Sequence, residues 1–330
     1  TGIQTALGQI VADELDVRAD QLTMVLGHTD ASPNQGPTIA SASIQISAVP
    51  LRKAAAQAKQ LLLQHQSQVW QVNPDELKTA AGIIYGPHAR TIRFEDAVKG
   101  ANLRAYLDLN TPTKHSAQLQ LVGTSTPRVD IPHKALGRFT YVHDVQVPGM
   151  WHARVVSPPY AGRDSGEFIA HSLLAIDQNS VAHISPDIEV IQQGDFVAVI
   201  AQREEHAIQA ARALKVTWRP APPLMDLSNL GAAVNQHEST PRLLKDTPLD
   251  PAAPDADITL SHDYVWPYQL HASIGPSCAV ALYQPDHVQI WSGTQNPHML
   301  RTQLSELFDL EEGSIEIIRH EASGCYGRNC

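Results

Sequence analysis

Pro33-Asn34-Gln35-Gly36-Pro37-Thr38-Ile39-Ala40-Ser41-Ala42-Ser43 sets two prolines, a glycine and three short hydroxyl side chains in one run without becoming a repeat. The prolines fix φ at two points, Gly36 permits a turn that other residues make at a cost, and Thr38, Ser41 and Ser43 place hydroxyls beside main-chain N–H groups. The run reads as a loop for an anionic ligand rich in hydrogen-bonding groups. On composition alone an ST-rich turn that caps the next helix is the favoured reading. Before it, Ile3, Leu7, Ile10, Val11 and Leu15 share one helical face, residues 16–20 end that helix, and 22–26 read as a strand. After it, a second amphipathic helix carries Leu51, Ala54, Ala55, Ala58, Leu61 and Leu62 inward, with Pro50 tolerated in the first turn. The loop thus lies at the positive end of a helix dipole, where phosphates bind.

A chain of 330 residues has room for two or three domains, and 43% hydrophobic with 18% charged residues marks it as globular. No apolar run is long enough to cross a bilayer. A net charge of -10 with scattered basic residues argues against a nucleic-acid partner and for small-molecule chemistry. Cys278, Cys325 and Cys330 form no CxxC pair and cannot complete the four-thiolate shell of a [2Fe-2S] cluster, so any electrons must leave through another chain. The sequence opens at Thr1 without an initiator Met and stops in a glycine-rich motif, which is expected of a piece of a longer polypeptide; its compartment, bacterial periplasm or cytoplasm, is left open.

Residues 73–120 are short, mixed and polar, with a turn at Tyr85-Gly86-Pro87. From Leu121 short strands and turns, running to Tyr141 and Asp144, are expected to open a new domain, and 150–156 reads as a strand closed by Ser157-Pro158-Pro159. Gly194-Asp195, the β-rich run 196–200, a helix with Ala207, Ala210, Ala211 and Leu214 inward, and a strand at 216–218 suggest a βαβ unit on a mixed sheet. Two proline-rich runs at 219–223 and 247–254 bracket a long surface connection. A hairpin then turns at Pro285-Asp286, a helix presents Leu300, Leu304, Leu307 and Phe308 on one face, and a strand at 315–318 leads into Ala322-Ser323-Gly324-Cys325-Tyr326-Gly327.

Ser292-Gly293-Thr294-Gln295-Asn296-Pro297 sits between hairpin and helix, where side chains project from a rigid platform. Gln295 can donate to an oxo or carboxylate oxygen and accept from water without titrating; Thr294 can equally be a plain N-cap with Gln295 solvated behind it. The two glycines of 324–327 free backbone N–H groups for an anion but lack the spacing of a dinucleotide or ATP loop. Among the sixteen histidines, His133, His143, His152 and His271 read as surface or core residues, since none is spaced for zinc. Ser43 with His28 and Asp30 allows a hydrolytic triad on paper, without a nucleophile elbow.

Together these runs resemble the large, molybdenum-cofactor-binding subunit of the xanthine dehydrogenase and aldehyde oxidase family, nearest its bacterial branch of isoquinoline 1-oxidoreductase, nicotinate dehydrogenase and related aldehyde dehydrogenases. Gly2-Ile3-Gln4-Thr5 is similar to the end of a GQGxxT cofactor loop, and Pro33-Asn34, Pro37-Thr38, Ser41 and Ser43 to a pterin-contacting segment. Arg128-Val129-Asp130 through Asp144 resembles the opening of the family's a/b hammerhead domain, and Gly194-Asp195-Phe196-Val197 with 207–218 its close. His271-Ala272-Ser273-Ile274-Gly275-Pro276 with Gly293-Thr294-Gln295-Asn296-Pro297 resembles the first molybdenum-binding segment, and Ser323-Gly324-Cys325-Tyr326-Gly327 the glycine-rich cofactor loop.

The resemblance implies an α+β fold in which molybdenum-cofactor-binding segments flank a hammerhead domain. Residues 1–120 would be an N-terminal cofactor-binding segment, 121–225 the hammerhead, 226–256 a linker and 257–330 the first molybdenum-binding segment. It implies a molybdopterin cytosine dinucleotide carrying molybdenum, held by Gly2, Gln4, Thr5, Thr38, Ser41, Ser43, Gln295, Gly324, Cys325, Tyr326 and Gly327, with Gln295 orienting the oxo group and no direct protein ligand to the metal. The activity implied is hydroxylation of an N-heteroaromatic carbon or an aldehyde with oxygen from water. Electrons would pass to a separate small [2Fe-2S] subunit and on to an acceptor such as a cytochrome c. The pattern also departs from the family: Thr1 stands in place of Gln, Ala322 in place of Gly, Gly275 where the purine-oxidising branch has an acid, and the catalytic Glu of a GEPG-type motif is not in the chain. A non-catalytic or degenerate cofactor-binding fragment is the main rival reading, and a serine hydrolase using Ser43 the other. The ligand loop and the C-terminal loops are expected to meet in space.

Overall fold

A computed structural model describes residues 2–160, 170–221, 226–236, 238–240, 242–247, 257–262, 264–267, 269–322, 324 and 326. Two compact units emerge: Thr1–Gln146 with His271–Cys330, and Val147–Leu270.

In the first unit, helix α1 (Ile3–Leu15) buries Leu7, Val11 and Ala12 against helix α2 (Ala48–Trp70), as the apolar spacing anticipates. The buried stripe of α2 runs through Ala48, Ala55, Leu62 and Gln66. Ala58, expected inward, falls beside that stripe and is exposed. The segment 22–26 is extended but unpaired, contrary to the strand expected there. Pairing begins only at Gly27, where the chain meets a strand described below.

Residues 73–120 hold more order than their polar sequence suggests. Strands β1 (Lys78–Ala80), β2 (Ile83–Tyr85) and β3 (Thr91–Arg93) make an antiparallel meander, followed by the one-turn helix α3 (Phe94–Ala97). Leu62, Leu77, Ile84 and Ala97 form its core, and strands this short carry no readable alternation.

The short strands expected over residues 121–146 do not form. The described chain there is irregular, with helix α4 (Ile131–Ala135), and it lies in the first unit. Two buried acids on α1 hold the chain where it enters this segment. Asp13 accepts the N–H groups of Gln120 (2.9 Å), Leu121 (3.1 Å) and Val122 (2.8 Å). Glu14 accepts from Arg52 Nε (2.7 Å) and the Lys114 N–H (3.1 Å). The N–H groups of Leu121 and Val122, which a strand neighbour would need, are satisfied by the Asp13 carboxylate instead.

In the second unit, β4 (His152–Val155), β6 (Glu189–Gln193) and β7 (Phe196–Ala201) form an antiparallel sheet in the order β4-β7-β6. Strand β5 (Leu173–Asp177) pairs with β8 (Lys215–Trp218), and helix α5 (Glu204–Ala213) packs on β4 and β7. Val181, Val197, Val199, Ala210 and Leu214 make the core. The expected βαβ unit on a mixed sheet is therefore absent from the described residues here. Both edges of β7 are occupied by β4 and β6, so β8 pairs with β5 in a separate antiparallel ribbon. A short helix, α6 (Leu230–Gln236), interrupts the proline-rich connection.

The chain returns to the first unit with β9 (Ala279–Gln284), β10 (His287–Ser292), helix α7 (Pro297–Phe308) and β11 (Ile315–Arg319). The hairpin falls where Pro285-Asp286 places it. Strand β11 runs parallel to β10 with α7 as the crossover, so a βαβ unit forms here. Ile290, Ile315 and Ile317 pack with Val288, Leu300, Leu304 and Leu310. Leu307 and Phe308, expected on the buried face, are 64% and 59% exposed. Asp309 takes a left-handed conformation that stops α7 and swings Leu310 into the core instead.

Candidate functional site

Alternation along β10 and β11 gives their sheet two unlike faces. Val288, Ile290, Ile315 and Ile317 face α7, while His287, Gln289 and Glu316 point the other way. The carboxyl ends of these parallel strands are where a βαβ unit offers its loops to a ligand. Two loops leave from that edge, 293–296 after β10 and the chain from 320 to 322 after β11, and the His320 N–H donates to the Ser292 carbonyl at 2.9 Å to hold them side by side. Within the first, Thr294 is buried and its hydroxyl accepts the Asn296 N–H at 3.0 Å; Asn296, not Thr294, occupies the N-cap position of α7.

The ligand loop comes to the same edge. The Thr38 N–H donates to the Gln295 carbonyl at 2.9 Å, and the Gln295 side-chain amide donates back to the Thr38 carbonyl. The expected meeting of the N-terminal loop with a C-terminal loop is thus present as a reciprocal pair of bonds. The Gln295 amide N–H that would steer a reacting centre is turned to Thr38.

Upstream, the chain is bound to the edge of β11. The Thr29 N–H donates to the Ile317 carbonyl (3.1 Å), the Ile317 N–H to Thr29 Oγ1 (2.9 Å), and the Arg319 N–H to the Gly27 carbonyl (3.1 Å). Gly27 has φ 71, and a Cβ there would stand 2.8 Å from Arg319 Cβ, so only glycine permits this approach. His28 Nε2 then meets Glu316 Oε1 at 2.6 Å. Gln289 Nε2 donates to Glu316 Oε2 at 2.6 Å, and His287 Nε2 lies 3.3 Å from the same oxygen. The bond from His28, seconded by Gln289 and His287, holds the Glu316 carboxyl below the usual carboxylate range despite the opposing effect of burial.

Between Thr38 and α2 the loop is exposed and unusual. Ala40 and Ser41 have φ of 51 and 54, and residues Ser43–Ser47 form a π-turn that runs into α2. The hydroxyls of Thr38, Ser41 and Ser43, and the N–H groups of Ala40 and Ser41, take part in no hydrogen bond among the described residues. A short exposed run of free donors beside a helix start suits an anionic ligand.

The other residues singled out from sequence lie elsewhere or are engaged. Gly2 caps α1 at φ 82, with a Cβ there only 3.1 Å from Arg128 Cδ. Gln4 Nε2 donates to the Met24 carbonyl (3.0 Å), and the buried Thr5 hydroxyl accepts the Val129 N–H (3.0 Å). Gly324 has φ 131 and lies under the Tyr326 ring, whose Cε2 would be 2.8 Å from an added Cβ. Cys325 and Gly327 fall outside the described residues. The paper triad is not assembled: His28 Nε2 is taken by Glu316, and Asp30 faces Arg301 at 3.7 Å. Sequence reasoning missed Glu316, although one acid in the apolar run Ile315-Glu316-Ile317-Ile318 was a visible signal.

Models of molybdopterin cofactor-binding domains match residues 1–143 and 236–329. The chain is 50% identical over its full length to a subunit of the nicotinate dehydrogenase of Pseudomonas putida, covering 28% of that protein. It is 28% identical to the beta subunit of isoquinoline 1-oxidoreductase of Brevundimonas diminuta, with 67% of this chain and 32% of that one aligned. Among solved structures, quinoline 2-oxidoreductase from Pseudomonas putida 86 aligns at a TM-score of 0.40 and 18% identity, covering 63% of this chain and 31% of that one. The chain therefore spans about a third or less of the length of these relatives.

Proposed function

Because the chain belongs to the molybdopterin cofactor-binding domain family, we propose that it is the cofactor-holding part of a molybdenum hydroxylase that oxidises an N-heteroaromatic ring carbon, or an aldehyde, with oxygen from water. The observation that carries this reading is the 50% identity, along the whole chain, to part of a protein named as a nicotinate dehydrogenase.

The residues present fit the group. Thr38, Ser41 and Ser43 offer free hydroxyls on an exposed loop at a helix start, as a pterin with a pyrophosphate-linked cytosine nucleotide requires. Gln295 fixes that loop through Thr38. Gly324 and Tyr326 extend the wall past β11. Gly2, Gln4 and Thr5 contribute by setting α1 rather than by presenting free side chains. When bound, the cofactor supplies the two-electron redox chemistry, and the protein supplies position and polarisation. In this reading the part of the second unit that precedes the linker, residues 147–225, belongs to the hammerhead domain, and electrons leave through a separate [2Fe-2S] subunit towards an acceptor such as a cytochrome c.

The test uses the full-length protein purified with its partner subunits and supplied with nicotinate in isotopically labelled water. Label in the hydroxylated ring, with two electrons delivered to an acceptor per turnover, is the expected result. Absence of molybdenum from the purified protein, or product oxygen drawn from dioxygen, overturns the reading.

A further inference from the structure

We propose that Glu316 is the positioning residue of the ligand loop. It holds the loop's stem through His28 so that residues 33–43 are presented at the carboxyl edge of β10 and β11; the purpose assigned to this rests on the reading of that loop as a cofactor wall.

The geometry is specific. Glu316 stands directly opposite Gln289 in the parallel pair β10 and β11, on the face turned away from α7. Its side chain is only 12% exposed, yet both oxygens meet polar partners: His28 at 2.6 Å on one, Gln289 at 2.6 Å and His287 at 3.3 Å on the other. Gln289 and His287 belong to the sheet, and His28 belongs to the chain entering the loop. One carboxylate therefore joins the loop stem to the sheet, with its second oxygen used to fix its own rotamer.

Backbone pairing alone cannot serve this purpose. It ends at Thr29, and the next tie on the described loop to the βαβ unit's backbone is Thr38 with Gln295. Between the two, Ser32 and Asn34 bond only within the loop. A longer contact reinforces the stem from α7: Asp30 is 3.7 Å from Arg301, which in turn lies 3.7 Å from Glu312. Glu316 thus fixes, through the shortest of the side-chain links to the stem, where the stem leaves the sheet, and Thr38 with Gln295 fixes where the loop lands.

The experiment is hydrogen exchange of residues 33–43 in the full-length protein, with molybdenum content measured on the same samples. Glu316→Ala and His28→Ala are each expected to speed exchange in 33–43 by about tenfold, while β9 and β10 stay within about twofold. The double variant is expected to match the single ones, because both remove the same link. Glu316→Gln, which keeps an acceptor for His28, is expected to restore most of the protection. Unchanged exchange in Glu316→Ala, or additive effects in the double variant, overturns the proposal; should Glu316→Ala not fold, His28→Ala against Glu316→Gln decides it. Faster exchange with lowered molybdenum supports both anchor and cofactor wall. Faster exchange with full molybdenum content keeps the anchor and overturns the loop's assignment to the cofactor.

Discussion

Ala40 and Ser41 sit side by side in the left-handed region, at φ 51 and 54, a conformation that costs an L-residue roughly 1–2 kcal/mol. Strain of this kind persists where the surroundings or a ligand over-determine the backbone. Ala40→Gly is expected to stabilise the protein by about 0.5–1 kcal/mol, read from chemical denaturation. A second residue works in the opposite sense. Asp130 is 8% exposed and is gripped by Arg128 at 3.0 and 2.6 Å and by Lys134 at 2.7 Å. Arg128 first, then Lys134, hold its carboxyl far below the usual carboxylate range. A depressed carboxylate stabilises the fold fully above its unfolded pKa of about 4 and loses that contribution as the pH falls through the folded value. Asp130→Asn is therefore expected to cost about 2 kcal/mol at neutral pH, with the gap to the natural protein narrowing in titrations below about pH 4.

At the scale of elements, the βαβ unit of β10, α7 and β11 is the platform on which the site stands. Ile317 is fully buried at its centre, and Ile317→Ala is expected to cost about 2–5 kcal/mol in denaturant unfolding. That loss should also free the stem, since Thr29 bonds the Ile317 backbone in both directions. Elements of this kind are largely legible in the chain itself. Helices α1, α2, α5 and α7 and the β9–β10 hairpin carry long periodic patterns or a clear turn. The three-residue strands of the meander do not, and the sequence around Leu121 carries apolar residues whose backbone partner, Asp13, lies far away in the chain. Local pattern points to a βαβ unit at β7, α5 and β8, because it reveals a strand-helix-strand order but not which strand edges are already occupied. In the site, the loops at Thr38 and Gln295 are readable from residue type. Glu316 is not, because its meaning depends on a histidine brought from the other end of the chain.

At the scale of the whole molecule, the acidic chain folds as two compact units, and two cofactor-binding domain models match its two ends. Among the described residues no helix is long and apolar enough to cross a membrane. The central claim is that the exposed hydroxyl loop and the carboxyl edge of β10 and β11 form one wall around a molybdenum cofactor. The most direct test is the molybdenum and cytidine-nucleotide content of the purified full-length protein, compared between the natural sequence and a Ser41→Ala, Ser43→Ala variant of unchanged thermal stability. Stoichiometric metal and nucleotide in the first, with a several-fold loss in the second, is the expected result. A natural protein without either component, or a variant that retains both in full, would contradict the claim.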